Sequence, residues 1–214
     1  MVKSQPCNCA NCGKRLFAWM MSLDRGGEYD KAVHDRKQSL FGSLNGNVLE
    51  IGPGTGVNLA YFPKNINWIG IEPNPFMHSY LKQEAEKLGF NNIDIRTGTA
   101  EGIDAEDNSM DAVVSTLVLC SVPNLSTTLQ KILRVLKPGG RFLFIEHVAA
   151  PKKTLLRKVQ STIRPVWKLV GDGCHPDRET WSALDNAGFS NLNYEHFRAP
   201  VPIVSPHIAG VATK

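Results

Sequence analysis

From residue 47 onward, short apolar runs alternate with longer segments in which apolar residues recur at helical spacing. This alternation is typical of β-α units, and it predicts an α/β fold with a doubly wound, mostly parallel sheet. We expect strands at 47–51, 67–72, 93–97, 111–118 and 141–147. We expect the helices that follow them to cover 56–62, 75–89, 125–136 and 152–169.

The pattern at the two ends of the chain completes the predicted architecture. Strands at 192–198 and 207–212 would bring the sheet to seven strands as an antiparallel edge. Asp177 is predicted to cap a helix that runs to about Asn186. Residues 14–44 predict two helices that separate near Gly26 and Gly27 and cap the site. We therefore expect one domain, with a cap and tail over 1–46 and a catalytic core over 47–214.

Composition excludes several classes of protein. The chain has 214 residues with 24 basic and 20 acidic side chains, a net charge of +4. Because these charges are few and scattered and no binding module is recognisable, we expect no nucleic-acid partner. The longest nearly apolar run, 112–122, is shorter than the roughly 20 residues of a membrane-spanning helix. Peripheral membrane contact by the apolar segment 16–21 stays open, although packing against the core is the favoured use.

The five cysteines are an odd number in a chain that needs no disulfides for its size, so we expect reduced thiols and a cytoplasmic location. A monomer and a weak homodimer are both compatible with the sequence. Cys7, Cys9 and Cys12 form a C-x-C-x-x-C pattern, but a structural zinc needs four ligands and no second cysteine pair exists. We expect no metal and a tail of reduced thiols.

The most informative stretch is 48–56, where a predicted strand runs into Gly52, Gly54 and Gly56. Glycines let the backbone turn sharply and approach a ligand, and a helix start would offer free N–H groups there. A dinucleotide site would more often show G-x-G-x-x-G. Glu50 just before the loop suits a ligand that carries an ammonium group. Glu72, at the end of the second strand and 20 residues beyond Gly52, can accept both hydroxyl hydrogens of a ribose.

A third element, 98–101, follows the third strand, where a backbone N–H and a side-chain acceptor would read an adenine edge. Together with 111–114 and 136–140, these motifs in this order resemble the class I S-adenosylmethionine-dependent methyltransferases. The resemblance spans 48–146 and implies their Rossmann-like fold and S-adenosylmethionine as the cofactor. A turn-shaping role for the glycines, a nicotinamide enzyme and a non-catalytic nucleoside-binding scaffold are the alternatives. The predicted cofactor-binding residues are Glu50, Gly52, Gly54, Thr55, Gly56, Glu72, Pro73, Thr99, Ala100, Glu101, Thr116 and Leu117.

The methyl acceptor should lie near the residues that follow strands four and five, because ligands of open α/β sheets bind across the carboxyl ends of the strands. His147 is the first candidate to touch it, although a histidine there would as readily hydrogen-bond a loop carbonyl. Asp172 and Cys174 lie in a glycine-rich loop of the kind that lines pockets. For Cys174, a role as a small buried apolar group is favoured.

The stretches 115–122, 145–150, 165–167, 172–174, 178–181 and 206–210 resemble a narrower family, the methyltransferase-like thiol S-methyltransferases. This resemblance covers about residues 29–214 and implies a small, fairly apolar thiol acceptor. We predict that His147 or Asp172 assists deprotonation of the thiol. An O- or N-methyltransferase of a small phenol or amine is the alternative. The residues predicted for the acceptor pocket are Tyr29, His147, Trp167, Cys174 and His207.

Overall fold

The computed structural model describes residues 9–23, 27–90 and 92–214, and its centre is a seven-stranded sheet in the order β3-β2-β1-β4-β5-β7-β6. The first five strands are parallel, and β7 runs antiparallel between β5 and β6, as predicted. The strand order reverses between β1 and β4, which is where open α/β sheets bind their ligands. The strands are β1 Asn47–Ile51, β2 Asn67–Ile71, β3 Ile93–Arg96, β4 Met110–Thr116, β5 Leu136–His147, β6 Asn191–Arg198 and β7 Pro206–Thr213.

Six α-helices lie within the described residues, and most of them match the predicted segments. Two begin at side-chain caps: the Asn124 side chain accepts from the Thr127 amide at 3.0 Å, and the Thr154 hydroxyl accepts from the Arg157 amide at 3.2 Å. The helices are α1 Cys9–Leu23, α2 Glu28–Phe41, α3 His78–Lys87, α4 Leu125–Val135, α5 Leu155–Val170 and α6 Thr180–Asp185. The predicted pair of N-terminal helices is therefore present.

The predicted helix at 56–62 is wrong. The segment consists of turns and a three-residue 3₁₀ helix, Leu59–Tyr61, held by bonds between residues three apart, such as Phe62 N to Leu59 O at 3.3 Å. Pro63 follows immediately and has no amide hydrogen to continue an α-helix. The glycine loop therefore presents turn amides, and not the start of an α-helix, to the sheet edge.

Two boundaries also differ from the prediction. Helix α6 begins at Thr180 without a side-chain cap, because Asp177 instead accepts from Arg164 of α5 at 3.4 Å. Strand β5 begins at Leu136, so that residues 137–140 extend the strand where a turn was expected. A register shift against β4 between Met110 and Ala112 accommodates this extension.

Helix α1 exposes most of the apolar segment that was expected to pack against the core. Leu16, Trp19, Met20 and Met21 are 40–56% exposed, and Ala18 is the buried residue of the segment. The packing expectation is wrong for those four side chains. The helix still touches the ligand edge of the sheet, since the Lys14 carbonyl accepts from the Asn74 side chain at 3.0 Å. None of the helices in the described ranges combines the length and the apolarity that crossing a membrane requires.

Candidate active site

The glycine loop between β1 and β2 approaches both the neighbouring strands and open space. Gly52 has a φ of +60° and donates its amide to the Ile71 carbonyl at 2.8 Å. A Cβ atom at Gly52 would lie 2.5 Å from the Val118 side chain, so the loop packs directly against the residues that follow β4. Gly54 has a φ of +56°, and a Cβ atom there would meet nothing within 4 Å. The backbone at Gly54 therefore borders free space that a ligand can fill.

Glu72 closes this loop from the end of β2. Its Oε2 accepts from the Gly54 amide at 2.9 Å and its Oε1 from the Asn74 amide at 2.8 Å. Burial raises the pKa of Glu72, and these two hydrogen bonds oppose the shift. Each carboxylate oxygen keeps a second acceptor site, which suits a pair of vicinal hydroxyl groups. Beside it, Thr55 is buried within the loop and Pro73 is exposed.

Glu50 lies in the interior at the end of β1. Its Oε1 accepts from the Asn58 side chain at 2.7 Å and its Oε2 from the Trp68 indole at 3.1 Å. Burial raises its pKa to about 7 against the effect of those two bonds. Asn58 also donates to Thr116 at 3.0 Å and so joins the ends of β1 and β4. Sequence reasoning missed Asn58 and Trp68, because neither lies in a recognisable motif.

The third predicted cofactor element is a 3₁₀ helix, Ala100–Gly102, in which Ala100 is buried and Thr99 precedes it in an exposed position. Glu101 accepts from the Asn124 amide at 3.1 Å and so ties this element to the residue that caps α4. An adenine contact for Thr99, Ala100 and Glu101 stays a prediction.

The turn after β4 is held by a buried carboxylate that the sequence analysis did not single out. Glu146 accepts from the Ser115 hydroxyl at 2.5 Å and from the amides of Val118 and Leu119 at 3.1 Å each. Leu117, at the start of this turn, has a φ of +57° and donates its amide to Ile145 at 2.9 Å. Burial raises the pKa of Glu146, and the hydrogen bonds oppose the shift. The carboxylate thereby fixes the turn that carries Cys120.

All five residues predicted for the acceptor pocket lie in one contiguous group, which we call the acceptor cluster. The ring centroids of Tyr29 and His207 are 5.6 Å apart, and those of His207 and His147 are 6.2 Å apart. His147 Nε2 lies 2.9 Å from the Cys174 sulfur, to which the Trp167 indole donates at 3.2 Å. The residues come from α2, β5, α5, the loop after α5 and β7, so only the folded chain joins them.

Two polar atoms of the acceptor cluster are buried and have no hydrogen-bond partner among the described residues, the Tyr29 hydroxyl and His147 Nδ1. Such atoms are rare in folded proteins and point to a missing partner. The alternative in which His147 bonds a loop carbonyl is not what the structure contains, because its other nitrogen faces Cys174. Burial lowers the pKa of the neighbouring His207 to about 4, so this imidazole is neutral at neutral pH.

Cys174 is buried but polar in its contacts, which corrects its interpretation as a small apolar group. Hydrogen bonding with Cys120 and then with His147 and Trp167 lowers the pKa of the Cys174 thiol, and burial opposes this. The bond to Cys174 and burial raise the pKa of Cys120. The sequence analysis did not single out Cys120, although its position after β4 indicated that it lies near His147. It follows β4 as His147 ends β5, and adjacent parallel strands end at the same edge of the sheet.

Asp172, the second predicted catalytic residue, lies apart from this group of contacts. It is exposed, has a φ of +48°, and makes no side-chain hydrogen bond or ion pair with the parts of the chain that the structure describes. Its negative charge contributes to the raised pKa of Glu72. Asp172 therefore lies close enough to Glu72 for their charges to interact, while His147 contacts Cys174.

The sheet order, the loop closed by Glu72 and the free space at Gly54 match the class that the sequence predicted, the class I S-adenosylmethionine-dependent methyltransferases. A family model described as a methyltransferase domain matches residues 49–144. Among solved structures, the [4+2]-cyclase SpnF resembles the chain with a TM-score of 0.67 and 19% identity, covering 86% of this chain and 80% of that one. At this identity the likeness concerns the fold alone.

Two curated human proteins resemble the chain over most of its length. Thiol S-methyltransferase TMT1A is 39% identical over 87% of this chain and 81% of its own. Thiol S-methyltransferase TMT1B is 37% identical over 94% of this chain and 87% of its own. The chain belongs to the methyltransferase-like thiol S-methyltransferase family that these two proteins represent.

Proposed function

We propose that this methyltransferase transfers the methyl group of S-adenosylmethionine to a small, largely apolar thiol. The observation that carries the proposal is the acceptor cluster, a largely buried group at the ligand edge of the sheet that contains two polar atoms without partners among the described residues. The names of the two human relatives add independent support for a thiol. The cluster residues Tyr29, Trp167 and His207 add aromatic surface, which favours an acceptor with an apolar body.

The cofactor, when bound, supplies a methyl group that is already activated on a sulfonium, so no covalent enzyme intermediate is required. The chain's own residues have to bind and orient the cofactor and the acceptor, and they have to exclude water. We assign the ribose hydroxyls to Glu72, the ammonium group to the Glu50 region, and the close backbone approach to Gly54. Helix α1 contacts this edge at Asn74, whose side chain donates to the Lys14 carbonyl.

The acceptor thiol has to ionise, because the thiolate is the nucleophile. We assign this step to His147, since its Nδ1 is buried without a partner in the described chain and its ring lies against the Cys174 sulfur. Asp172 is the second candidate, with support from its place in the same loop as Cys174 and not from any contact. The two residues can be separated by experiment.

The first test is conversion of labelled S-adenosylmethionine to S-adenosylhomocysteine with alkyl thiols, aryl thiols, hydrogen sulfide, phenols and amines. We expect turnover with thiols and little with phenols and amines of matched shape, such as thiophenol against phenol. Turnover only with phenols or amines would contradict the proposed acceptor and leave the cofactor assignment intact.

The second test compares His147→Ala with Asp172→Asn under the same assay. We expect His147→Ala to lower kcat by about 100-fold, the usual size of a lost proton-transfer group. Asp172→Asn should lower it by less than about threefold, because an exposed group without contacts contributes little. Wild-type rates in both variants would remove both residues from the mechanism.

A further inference from the structure

Cys120, His147 and Cys174 bring three soft or borderline metal ligands to one point. Their ligand atoms lie within 4.8 Å of one another, and all three residues are buried. His147 lies 27 residues after Cys120 and 27 residues before Cys174, so no local spacing motif announces the group. The expectation of no metal considered only Cys7, Cys9 and Cys12.

We propose that Cys120, His147 and Cys174 bind Zn²⁺ and leave a fourth coordination position open to the sulfur of the acceptor. This inference rests on the proposed thiol-methylation function and specifies how the acceptor is ionised. Three protein ligands with one open position are the pattern of catalytic zinc, and a Cys₂His set is one of its known forms. Structural zinc sites are closed by a fourth protein ligand, which the described residues do not offer here.

The separations of the three ligand atoms suit the ion. A tetrahedral zinc with Zn–S bonds of about 2.3 Å and a Zn–N bond of about 2.0 Å holds its ligand atoms about 3.5–3.8 Å apart. His147 Nε2 and the Cys174 sulfur are 2.9 Å apart, and all three ligand atoms fall within 4.8 Å. The one measured separation and the upper bound thus differ from those of a bound ion by about 1 Å or less.

The backbone holds the three ligands in place. The Cys120 carbonyl accepts from the His175 amide at 2.9 Å, which joins the turn after β4 directly to the loop that carries Cys174. Gly173, with a φ of +88°, packs so closely on that turn that a Cβ atom would lie 3.2 Å from the Ser121 carbonyl. His147 is the last residue of β5. The site is thus preorganised by elements that are fixed independently of a ligand.

Hydrogen-bond donors and a positive charge lie beside the two cysteines. The Trp167 indole donates to the Cys174 sulfur at 3.2 Å, as outer-shell donors to metal-bound sulfur do. The Arg178 guanidinium donates to the carbonyls of Leu119 and Val122 at 2.6 and 2.7 Å. Its positive charge interacts with both cysteines. Two thiolates neutralise the charge of Zn²⁺, so a thiolate in the fourth position would give one net negative charge next to the positive sulfonium.

The transfer step balances without an oxidant or reductant. The acceptor thiol enters the open position and releases its proton to solvent. An electron pair of the acceptor sulfur forms the new S–CH₃ bond while the sulfonium C–S bond breaks, and that bond's pair stays on the sulfur of S-adenosylhomocysteine. The methylated acceptor is a neutral thioether and a weaker ligand than a thiolate, so it leaves the ion. In this arrangement His147 assists ionisation as a ligand of the metal through Nε2, and it does not itself take the proton.

The first experiment measures zinc per chain in the full-length protein under reducing conditions, after incubation with Zn²⁺ and desalting. The three N-terminal cysteines are first replaced (Cys7→Ser, Cys9→Ser and Cys12→Ser), so that their thiols cannot contribute. We expect about one zinc per chain in this background and a loss of at least about tenfold in added Cys174→Ser or His147→Ala. The matched control is His175→Ala, which removes an imidazole next to Cys174 and should keep the zinc.

The second experiment replaces zinc by Co²⁺ and follows its absorption. We expect thiolate-to-cobalt charge-transfer bands that are absent in Cys120→Ser, and a change in the visible bands when thiophenol is added but not when phenol is added. Circular dichroism and S-adenosylmethionine binding show whether each variant is folded. Any of three results would overturn the proposal. These are a folded protein that lacks the three N-terminal cysteines and binds no zinc, zinc that is retained in Cys174→Ser, and a cobalt spectrum that does not change when thiophenol is added.

Activity separates this proposal from the function on which it rests. If chelator-treated protein methylates thiols at the rate of the zinc-loaded protein, the thiol function stands and metal activation is refuted. If zinc and cobalt bind as expected but neither the loaded nor the stripped protein methylates any thiol, the proposed function fails and the metal site remains.

Discussion

The two halves of the ligand edge are built differently. The half that we assign to the cofactor, called the cofactor half, lies around the glycine loop and Glu72 and is made of residues close in sequence and of backbone amides. The acceptor half, the acceptor cluster with Cys120, is made of side chains from six separate elements or loops. A shared cofactor calls for the first kind of construction, whereas acceptor specificity arises from side chains that can vary without disturbing the loop.

The contact between Gly52 and Val118 joins the two halves, and Gly52→Ala should have the largest effect on the molecule. The left-handed φ and the 2.5 Å approach to a branched side chain predict a loss of roughly 3 kcal/mol in the free energy of unfolding. Gly54→Ala, at a similar φ but facing open space, should lose about 1 kcal/mol. Urea unfolding of the two variants measures the difference, and equal losses would mean that the contact does not join the halves.

Glu72→Ala should weaken S-adenosylmethionine binding by about 100-fold, the next largest effect. The change removes the acceptor of the Gly54 and Asn74 amides, and each hydrogen bond to a charged group contributes about 1.5–3 kcal/mol. Binding is measured by calorimetry. The matched control is Glu101→Ala, since this carboxylate also bonds a backbone amide, that of Asn124, but is assigned to the adenine edge, so that a smaller loss of affinity is expected. A larger loss in the control would reverse the assignment of the two carboxylates.

Affinity for S-adenosylmethionine should fall about tenfold between pH 8 and pH 6, because the pKa of Glu50 is raised to about 7 by burial. Below that pH the carboxyl group binds a proton and has no charge to offer the ammonium group, so affinity falls as the pH falls. Glu50→Gln should bind more weakly at pH 8 and show no such slope. A slope retained in Glu50→Gln would assign the pH dependence to another group, with Glu72 the first candidate.

Trp167→Phe should have the smallest effect, and this effect should be confined to the acceptor half. The change removes one N–H donor to the Cys174 sulfur and keeps most of the ring. A hydrogen bond of this kind contributes about 1 kcal/mol, which predicts a decrease of roughly fivefold in kcat/KM for the thiol. Affinity for S-adenosylmethionine should stay at the wild-type value. A parallel loss of cofactor affinity would show that the two halves are coupled and not separate.

Much of the local structure of the cofactor half could be predicted from the sequence because its signals are local. Glycines that need a left-handed φ, and an acidic residue at the end of the next strand, identify themselves by type and spacing. The prediction failed at 56–62, where Pro63 and the bonds between residues three apart stop an α-helix from forming. It also failed for Asp177, since the competing partner Arg164 comes from another helix.

The order of residues along the chain was enough to specify the α/β sheet, its antiparallel edge and the glycine loop, because hydrophobic periodicity and glycine spacing act over a few residues. Three facts emerged only when the chain was folded: Cys120, His147 and Cys174 meet, Glu146 holds the turn that carries Cys120, and the apolar side chains of α1 stay exposed. These facts depend on which strands are neighbours and on which loops cross the same edge. Contacts between residues far apart in the chain are fixed by packing, and the type of a single residue does not indicate which distant residue it will contact.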